Sequence, residues 1–172
     1  MEKESLIQFL LSRRSIRKFE STPVKKEDLE TMLKVAMYAP SARNLQPWHF
    51  IVIDNRVFLN EITRIHPYST MLAQAPLAVL ICADDSVQEA EGYWTQDSAN
   101  ATMNLLYSAH ALGYGACWMG IHPRTERIVG IRKLLHLPEN IHPVSLVAIG
   151  KAMENREMPE RFHADKIHTN CW

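Results

Sequence analysis

Residues 39–50 read APSARNLQPWHF, a loop that lies between a helix-like segment and a strand-like one. Pro40 and Pro47 each fix one backbone angle and remove one N–H donor, so the chain between them has a defined shape. A plain connection needs only a turn residue or two, whereas this loop also carries projecting polar side chains, those of Ser41, Asn44 and Gln46. We therefore predict a rigid loop that presents a surface onto which another molecule docks.

Helical and strand patterns alternate along the rest of the chain. They predict helices over 3–13, 26–38, 55–65, 69–75, 91–112 and 124–136, and strands over 48–53, 77–83, 113–121 and 143–150. The strand over 77–83 reads LAVLICA, a continuous apolar run that indicates a strand covered on both faces. The expected fold class is α+β, or a three-layer α/β/α domain with few strands and many helices.

The longest predicted helix, over 91–112, is apolar on more than one face. One face carries Ala99, Met103 and Leu106, and another carries Ala101, Leu105 and Leu112. Such a helix needs cover on both sides, so we expect it at the centre of the domain or in a subunit interface.

The C-terminal segment over 151–172 is polar and contains Pro159. No linker or repeat divides the sequence, so we expect a single domain over 1–172. We expect its C-terminal tail to wrap a surface or a partner subunit.

Composition limits the classes of function. Lysine plus arginine and aspartate plus glutamate both number 19, so there is no overall field that attracts nucleic acid or a membrane. No apolar run approaches the length that spans a bilayer, and the N-terminus reads as a helix rather than a signal peptide. The three cysteines, Cys82, Cys117 and Cys171, are far apart, which suits reduced thiols in a cytoplasmic protein.

The segment RRSIRK, residues 13–18, places four cations and a serine at the end of the first helix. Runs of this kind are most often solvated charged faces. Arginine forks beside a serine hydroxyl also suit a phosphate dianion, which is the second interpretation. A nucleic-acid surface is the third, and the lack of an extended basic stripe and of nearby aromatic platforms disfavours it.

The segment GYGACWMG, residues 113–120, resembles a dinucleotide-binding glycine loop only superficially. Its glycines are spaced GxGxxxxG and it runs from helix into strand, whereas the fingerprint runs from strand through a glycine turn into a helix. Two interpretations remain. The glycines end the long helix and let a flat ligand approach the backbone, or the segment is simply a core strand.

Metal and nucleophilic chemistry have little support. None of the eight histidines forms an HExxH motif, no serine lies in GxSxG, and Cys117 in an apolar strand is best read as a buried thiol. We therefore expect no metal site and no catalytic side chain, with any chemistry supplied by a bound cofactor.

Four motifs in this order resemble the short form of the nitroreductase family of FMN-dependent oxidoreductases: RRSIRKF (13–19), APSARNLQPWHFIV (39–52), ALGYGACWMG (111–120) and PERF (159–162). The resemblance implies a three-layer α/β/α sandwich with a small mixed sheet. It also implies an intertwined homodimer with two FMN sites at the interface. NADH or NADPH would reduce the flavin in a ping-pong mechanism, and a nitroaromatic, quinone or similar acceptor would reoxidise it.

The resemblance also assigns roles to residues. Arg13, Arg14 and Ser15 would hold the FMN phosphate and ribityl end, Arg161 would close on the phosphate, and Arg17 would lie near the pyrimidine edge. Pro40, Ser41, Ala42 and Asn44 would come from the partner chain. Cys117, Trp118, Met119 and Gly120 would supply backbone contacts beside the ring. Flavin N5 would carry the chemistry, and the N–H that faces it is unassigned, because this chain has WMG where longer members have a proline and an acidic residue.

Two alternatives stay open. Some relatives of this fold perform flavin fragmentation or reductive dehalogenation and use additional lid residues. The other alternative is a flavin-binding module without turnover. Acceptor specificity is expected to depend on a lid within residues 55–95.

Overall fold

A computed structural model of the chain describes residues 3–87 and 92–172. The helices are α1 (Lys3–Ser12), α2 (Lys26–Met37), α3 (Arg56–Ile65), α4 (Tyr93–Ala111) and α5 (Thr125–Leu135). The strands are β1 (Trp48–Ile53), β2 (Leu77–Asp84), β3 (Gly115–Gly120) and β4 (Ile141–Gly150). These bounds confirm the predicted elements to within two residues, except for the helix predicted over 69–75. The predicted start of the long helix, at residue 91, lies outside the described residues, as do residues 88–91 of the predicted lid.

The helix predicted over 69–75 is wrong in type, because this stretch forms only a short 3-10 turn over Thr70–Ala73. At its start, the hydroxyl of Ser69 donates to the backbone carbonyl of His66 at 2.7 Å, and this bond closes the preceding turn. Pro76 then disfavours a helical conformation at the residue before it. Too few residues remain between these two positions for an α-helix.

The sheet has the order β1-β2-β4-β3, and all three pairings are antiparallel. It therefore differs from the mixed sheet that the resemblance implied. A parallel contact does occur at the outer edge of β3, where Ser15 bridges Ala116. The chain then leaves β3 and Phe19 bridges Ala152 in the antiparallel sense, so this edge segment is too short to form a parallel strand.

Helices cover both faces of the sheet, which confirms the three-layer arrangement. On one face α3, α5 and the turn at Thr70–Ala73 pack against alternate residues such as Leu80 and Leu146. On the other face α2 and α4 pack against the residues between them, such as Val79 and Val147. Strand β2 is buried from Leu77 to Ala83, as its continuous apolar run predicts.

Helix α4 lies at the centre of the second face. Leu105, Leu106 and Ala101 are buried against the sheet and its neighbours. Leu112, which belongs to the second predicted apolar face, is 37% exposed. The helix also buries polar side chains, those of Asp97, Ser98, Thr102 and Ser108.

Two segments leave apolar side chains exposed. Helix α1 has no buried residue, and its apolar face consists of Leu6, Ile7, Leu10 and Leu11. The tail after β4 contains only a 3-10 turn at Ala164–Lys166, and it exposes Met153, Met158, Phe162, Ile167 and Trp172. The surface of the tail therefore includes large apolar side chains, although most residues of the segment are polar.

Among residues 3–87 and 92–172, no helix combines the length and the apolar character that crossing a bilayer requires.

Candidate cofactor site

Most of the predicted phosphate-binding residues line one cavity of about 520 Å³. Arg13, Arg14, Ser15 and Arg17 come from the segment after α1, and Arg161 comes from the tail. Two backbone hydrogen bonds hold these segments side by side: Glu20 N–H donates to the Lys151 carbonyl at 3.0 Å, and Met153 N–H donates to the Lys18 carbonyl at 2.9 Å. The fold thus brings together cations that lie more than 140 positions apart in sequence.

Arg156 also lines this cavity, and the sequence reasoning missed it. It precedes Arg161 by five residues in the same tail, so a second arginine close to Arg161 was the available signal. The cavity therefore has five arginines, here called the arginine cluster: Arg13, Arg14, Arg17, Arg156 and Arg161.

Glu154 supports the arginine cluster from the tail. Its carboxylate accepts from the backbone N–H of Arg17 at 2.5 Å and from Arg156 Nη2 at 3.2 Å. These contacts, led by the Arg17 N–H, lower the pKa of Glu154. The carboxylate is therefore ionised, and it holds the backbone of Arg17 and orients the guanidinium of Arg156.

Arg13 and Arg14 have different surroundings. Arg14 donates to the Leu11 carbonyl at 2.7 Å and to the Glu157 carbonyl at 3.2 Å, so it ties the tail to the end of α1. Arg13 lies 5.9 Å from the centre of the Tyr107 ring. Its Nε is buried and has no hydrogen-bond partner in the described part of the chain. A buried N–H donor without an acceptor is costly, so this atom indicates a place for an anionic ligand.

Strand β3 forms the wall beside the arginine cluster. Ile16 N–H donates to the Ala116 carbonyl at 3.0 Å, which places the cluster's segment along the outer edge of β3. Because N–H and C=O of one strand residue point to the same side, the backbone groups of Trp118 also point to this outer edge. The side chains of Cys117 and Met119 are buried in the core. Only the backbone of this segment can therefore meet a ligand at the edge, apart from the half-buried Trp118 ring.

Gly113 and Gly115 have different tasks, and only that of Gly113 was predicted. Gly113 has φ +78° directly after α4 and ends that helix, as predicted. A Cβ on Gly115 would lie 2.8 Å from Ile16 Cγ2, so this glycine makes room for the cluster's own segment rather than for a flat ligand.

The end of β3 is held by two side chains that the sequence did not suggest. Arg127 Nη1 donates to the Gly120 carbonyl at 2.7 Å, and His66 Nε2 lies 2.9 Å from the same oxygen. Tyr68 N–H donates to His66 Nδ1 at 3.2 Å, so the hydrogen of the neutral ring is on Nε2 and points to Gly120. Burial lowers the pKa of His66, and the ring is therefore neutral.

The predicted rigid loop over 39–50 is strained and well held. Arg43, Asn44 and Gln46 have φ values of 52°, 57° and 49°, which non-glycine residues adopt only at a cost. The buried carboxylate of Asp97 accepts from Ala42 N–H at 3.0 Å. Further bonds join Gln46 N–H to Ser41 Oγ and the Gln46 amide to Asn44 Oδ1. Prolines predicted the rigidity, whereas Asp97 on α4 is an addition from the structure.

This loop and the arginine cluster lie at opposite ends of α4. The loop contacts Asp97 and Asn100, whose amide donates to the Pro40 carbonyl at 3.3 Å. The cluster's segment contacts the other end, where His110 Nε2 lies 2.8 Å from Ser12 Oγ. Ten or more residues at a rise of about 1.5 Å separate these contacts by roughly 15–20 Å. One chain therefore does not bring Pro40, Ser41, Ala42 and Asn44 to the arginine cluster.

A family model described as the nitroreductase family matches residues 10–66 and 59–151. The chain belongs to the nitroreductase family. A nitroreductase-family relative from Methanothermobacter thermautotrophicus, named as an NADH dehydrogenase/NAD(P)H nitroreductase, is 40% identical over 100% of this chain and 90% of its own length. The resemblance and the predicted class, an NAD(P)H oxidoreductase, are therefore confirmed.

Solved nitroreductases have the same fold. A structure from Parabacteroides distasonis, named as an NADH dehydrogenase/NAD(P)H nitroreductase, is 32% identical, with a TM-score of 0.94 over 99% of this chain and 100% of that one. A nitroreductase from Clostridium difficile, described as FMN-dependent, is 31% identical, with a TM-score of 0.89 over 96% of this chain and 99% of that one.

Proposed function

We propose that this nitroreductase is an FMN-dependent enzyme that takes hydride from NADH or NADPH and reduces nitroaromatics, quinones or similar acceptors in a ping-pong mechanism. The observation that carries the proposal is the arginine cluster, with its buried unpaired Arg13 Nε, beside the open backbone edge of β3. The FMN-dependent relative from Clostridium difficile supports the choice of cofactor.

The residues at the cluster fit the phosphate of FMN. A phosphate dianion accepts charge-assisted hydrogen bonds from arginine forks and from a serine hydroxyl. Arg13 Nε would gain the acceptor that it lacks, Ser15 would donate from the same cavity, and Arg161 would close on the phosphate from the tail. Arg14 would contribute mainly charge, since part of its guanidinium is committed to backbone carbonyls.

The edge of β3 fits the flat ring. When bound, FMN accepts hydride at N5 and passes electrons on to an acceptor. Arg17 would stabilise negative charge at the pyrimidine edge, and its backbone is held at the cavity by the hydrogen bond from its main-chain N–H to Glu154. The backbone of Cys117, Trp118, Met119 and Gly120 would flank the ring, and Arg127 and His66 would hold the end of that wall.

We further propose that the enzyme is an intertwined homodimer. The loop over 39–50 lies too far from the arginine cluster of its own chain, so Pro40, Ser41, Ala42 and Asn44 would serve the site of the partner subunit. The exposed apolar face of α1 and the apolar side chains of the tail supply surface for this contact. The tail over 151–172 would wrap the partner. A cytoplasmic location is also proposed, and the three free cysteines support it.

Spectroscopy on the purified protein tests the proposed activity. We expect a yellow protein with an FMN spectrum that NADH or NADPH bleaches without oxygen, and we expect a nitroaromatic or a quinone to restore the colour. A colourless protein that FMN cannot reconstitute would contradict the cofactor. Retained FMN without bleaching would favour the flavin-binding module.

Specialised flavin chemistry is the second candidate, and two more distant relatives favour it. One, from Haliscomenobacter hydrossis, is named iodotyrosine deiodinase and is 24% identical over 192 residues. The other, from Rhodospirillum rubrum, is named 5,6-dimethylbenzimidazole synthase and is 25% identical over 178 residues. Release of iodide from an iodinated phenol by the reduced enzyme, or loss of FMN to a benzimidazole product in oxygen, would select this candidate.

A further inference from the structure

His110 lies on the last turn of α4 and lines a second cavity, of about 280 Å³. This cavity shares Arg13, Arg14 and Arg156 with the cavity of the arginine cluster. The proposed function leaves His110 without a role. It is nevertheless the one histidine among the residues that line these two cavities in the described part of the chain.

The hydrogen bonds of His110 allow its Nδ1 to take up a second proton. Ser12 Oγ donates its single hydrogen to the Phe9 carbonyl at 2.9 Å, so it accepts from His110 Nε2 at 2.8 Å. The Phe9 ring stacks on the imidazole at 4.9 Å between ring centres. A proton that arrives at Nδ1 therefore breaks neither contact. His66 differs, because its Nδ1 already accepts from Tyr68 N–H.

Cations dominate the surroundings of His110. Arg13 and Arg14 come from the segment after α1, and Arg156 comes from the tail. The other titratable groups of the cavity are Glu154 of the tail, which is bonded to Arg17 and Arg156, and Tyr114 before β3, which donates to Asp28 of α2. On α4 itself the nearest such group is Tyr107, which lies under Arg13. Burial, and then Arg13 and Arg14, lower the pKa of His110, so the ring is neutral at pH 7 in the ligand-free protein.

We propose that a dianion bound in the arginine cluster makes His110 take up a proton, so that phosphate binding at this site is coupled to pH. The inference rests on the proposed phosphate site. A dianion offsets the charge of the arginines that now oppose protonation, and it attracts the imidazolium directly. By linkage the effect is reciprocal, so a protonated His110 must bind the dianion more tightly.

Histidine NMR on the wild-type protein tests this coupling without a substitution. The eight histidines are followed through a pH titration of the protein alone, with sulfate and with FMN. Sulfate keeps its double charge across this range, whereas the FMN phosphate itself titrates at about pH 6. We expect the pKa of His110 to rise with either ligand. His122 is the internal control, since burial also lowers its pKa but it lies beside Trp94 and His142.

Sulfate affinity gives the reciprocal measurement. We expect binding about fivefold tighter near pH 5.5 than near pH 8, the low end of usual coupling between sites. His110→Gln keeps an N–H donor for Ser12 but does not titrate, so its pH dependence should be much shallower. His163→Gln is the matched control, because His163 lies two residues from Arg161 but outside both cavities.

Four results are distinguishable. A rise in the pKa of His110 with both ligands supports the coupling, and bound ligand with an unchanged pKa overturns it. A rise with sulfate in a protein that does not bind FMN supports the coupling and removes the proposed function. If neither ligand binds, the phosphate site and the coupling both fall.

Discussion

Arg13 and Arg14 are neighbours in sequence, yet the fold gives their guanidinium groups different tasks. Arg14 donates to backbone carbonyls on two segments, whereas Arg13 keeps a buried Nε without an acceptor. A sequence motif cannot separate these roles, because both residues are equally suited to a phosphate.

Arg13→Ala should weaken FMN binding by about 1.5–3 kcal/mol, the range for a hydrogen bond to a charged group. Fluorescence titration of the apoprotein with FMN measures this loss. Arg64→Ala is the control, since Arg64 is an exposed arginine of α3 paired with Glu61. Equal FMN affinity in the two variants would remove Arg13 from the phosphate site.

His66 should make stability depend on pH. Its pKa in the folded protein lies below the ordinary value of 6.5, chiefly because the ring is buried. The unfolded chain therefore binds more protons, and the free energy of unfolding must fall as pH decreases below about 6.5. Urea unfolding at a series of pH values measures this slope. His110 and His122 have the same direction of shift and add to it.

His66→Gln separates the contribution of His66 from those of the other histidines. The amide can still donate to the Gly120 carbonyl but does not titrate. We expect a shallower slope in this variant, and a slope equal to that of the wild type would show that His66 is not the group involved.

At the scale of elements, the contact between β3 and the segment after α1 positions the arginine cluster. Gly115 permits this contact, because a Cβ there would lie 2.8 Å from Ile16 Cγ2 and 2.9 Å from Ile16 Cβ. Ile16 in turn donates its N–H to Ala116. The position of the cluster therefore depends on a residue with no polar side chain.

Gly115→Ala should displace Ile16 and the arginines beside it. We expect a loss of stability of about 1–3 kcal/mol, as for overpacked sites, together with weaker FMN binding. Gly130→Ala is a matched control, because its Cβ would lie 2.5 Å from Ile65 Cγ2 at the contact between α5 and α3, away from the cluster. Both variants should unfold at lower urea concentration, but only Gly115→Ala should lose FMN affinity. If both keep it, the cluster does not depend on this contact.

One chain contains both parts of the proposed site but holds them at opposite ends of α4. The same chain exposes an apolar face on α1, where Ile7 is 49% exposed. Dimerisation would cover this apolar surface, and it would also join the loop of one chain to the arginine cluster of its partner.

Ile7→Glu should therefore produce a monomer with weak FMN binding, since a buried carboxylate in an apolar interface is costly and Ile7 does not line the cavities beside the arginine cluster. Light scattering gives the mass, and FMN titration gives the affinity. Val129→Glu is the control, because Val129 is 58% exposed on α5, which belongs to the other face of the sheet. A monomeric variant with unchanged FMN affinity would contradict the shared site.

Most helices and strands, the family and the cations that follow α1 could be predicted from the order of the residues alone. Helix and strand periods are local, and the four motifs lie in order along the chain, so neither requires knowledge of packing. The mixed sheet and the helix over 69–75 were wrong, because strand direction and one short turn depend on contacts beyond the segment itself.

Which side chains contact one another could not be predicted, because it depends on how the chain folds back on itself. Arg156 reaches Arg13 through the returning tail, His66 and Arg127 meet at Gly120, and Asp97 holds the loop at Ala42. His110 likewise contacts Ser12, which lies 98 positions earlier in the sequence, and this contact places it beside the arginine cluster. These contacts link distant segments, and their polar atoms pair only because packing of the apolar core brings those segments together.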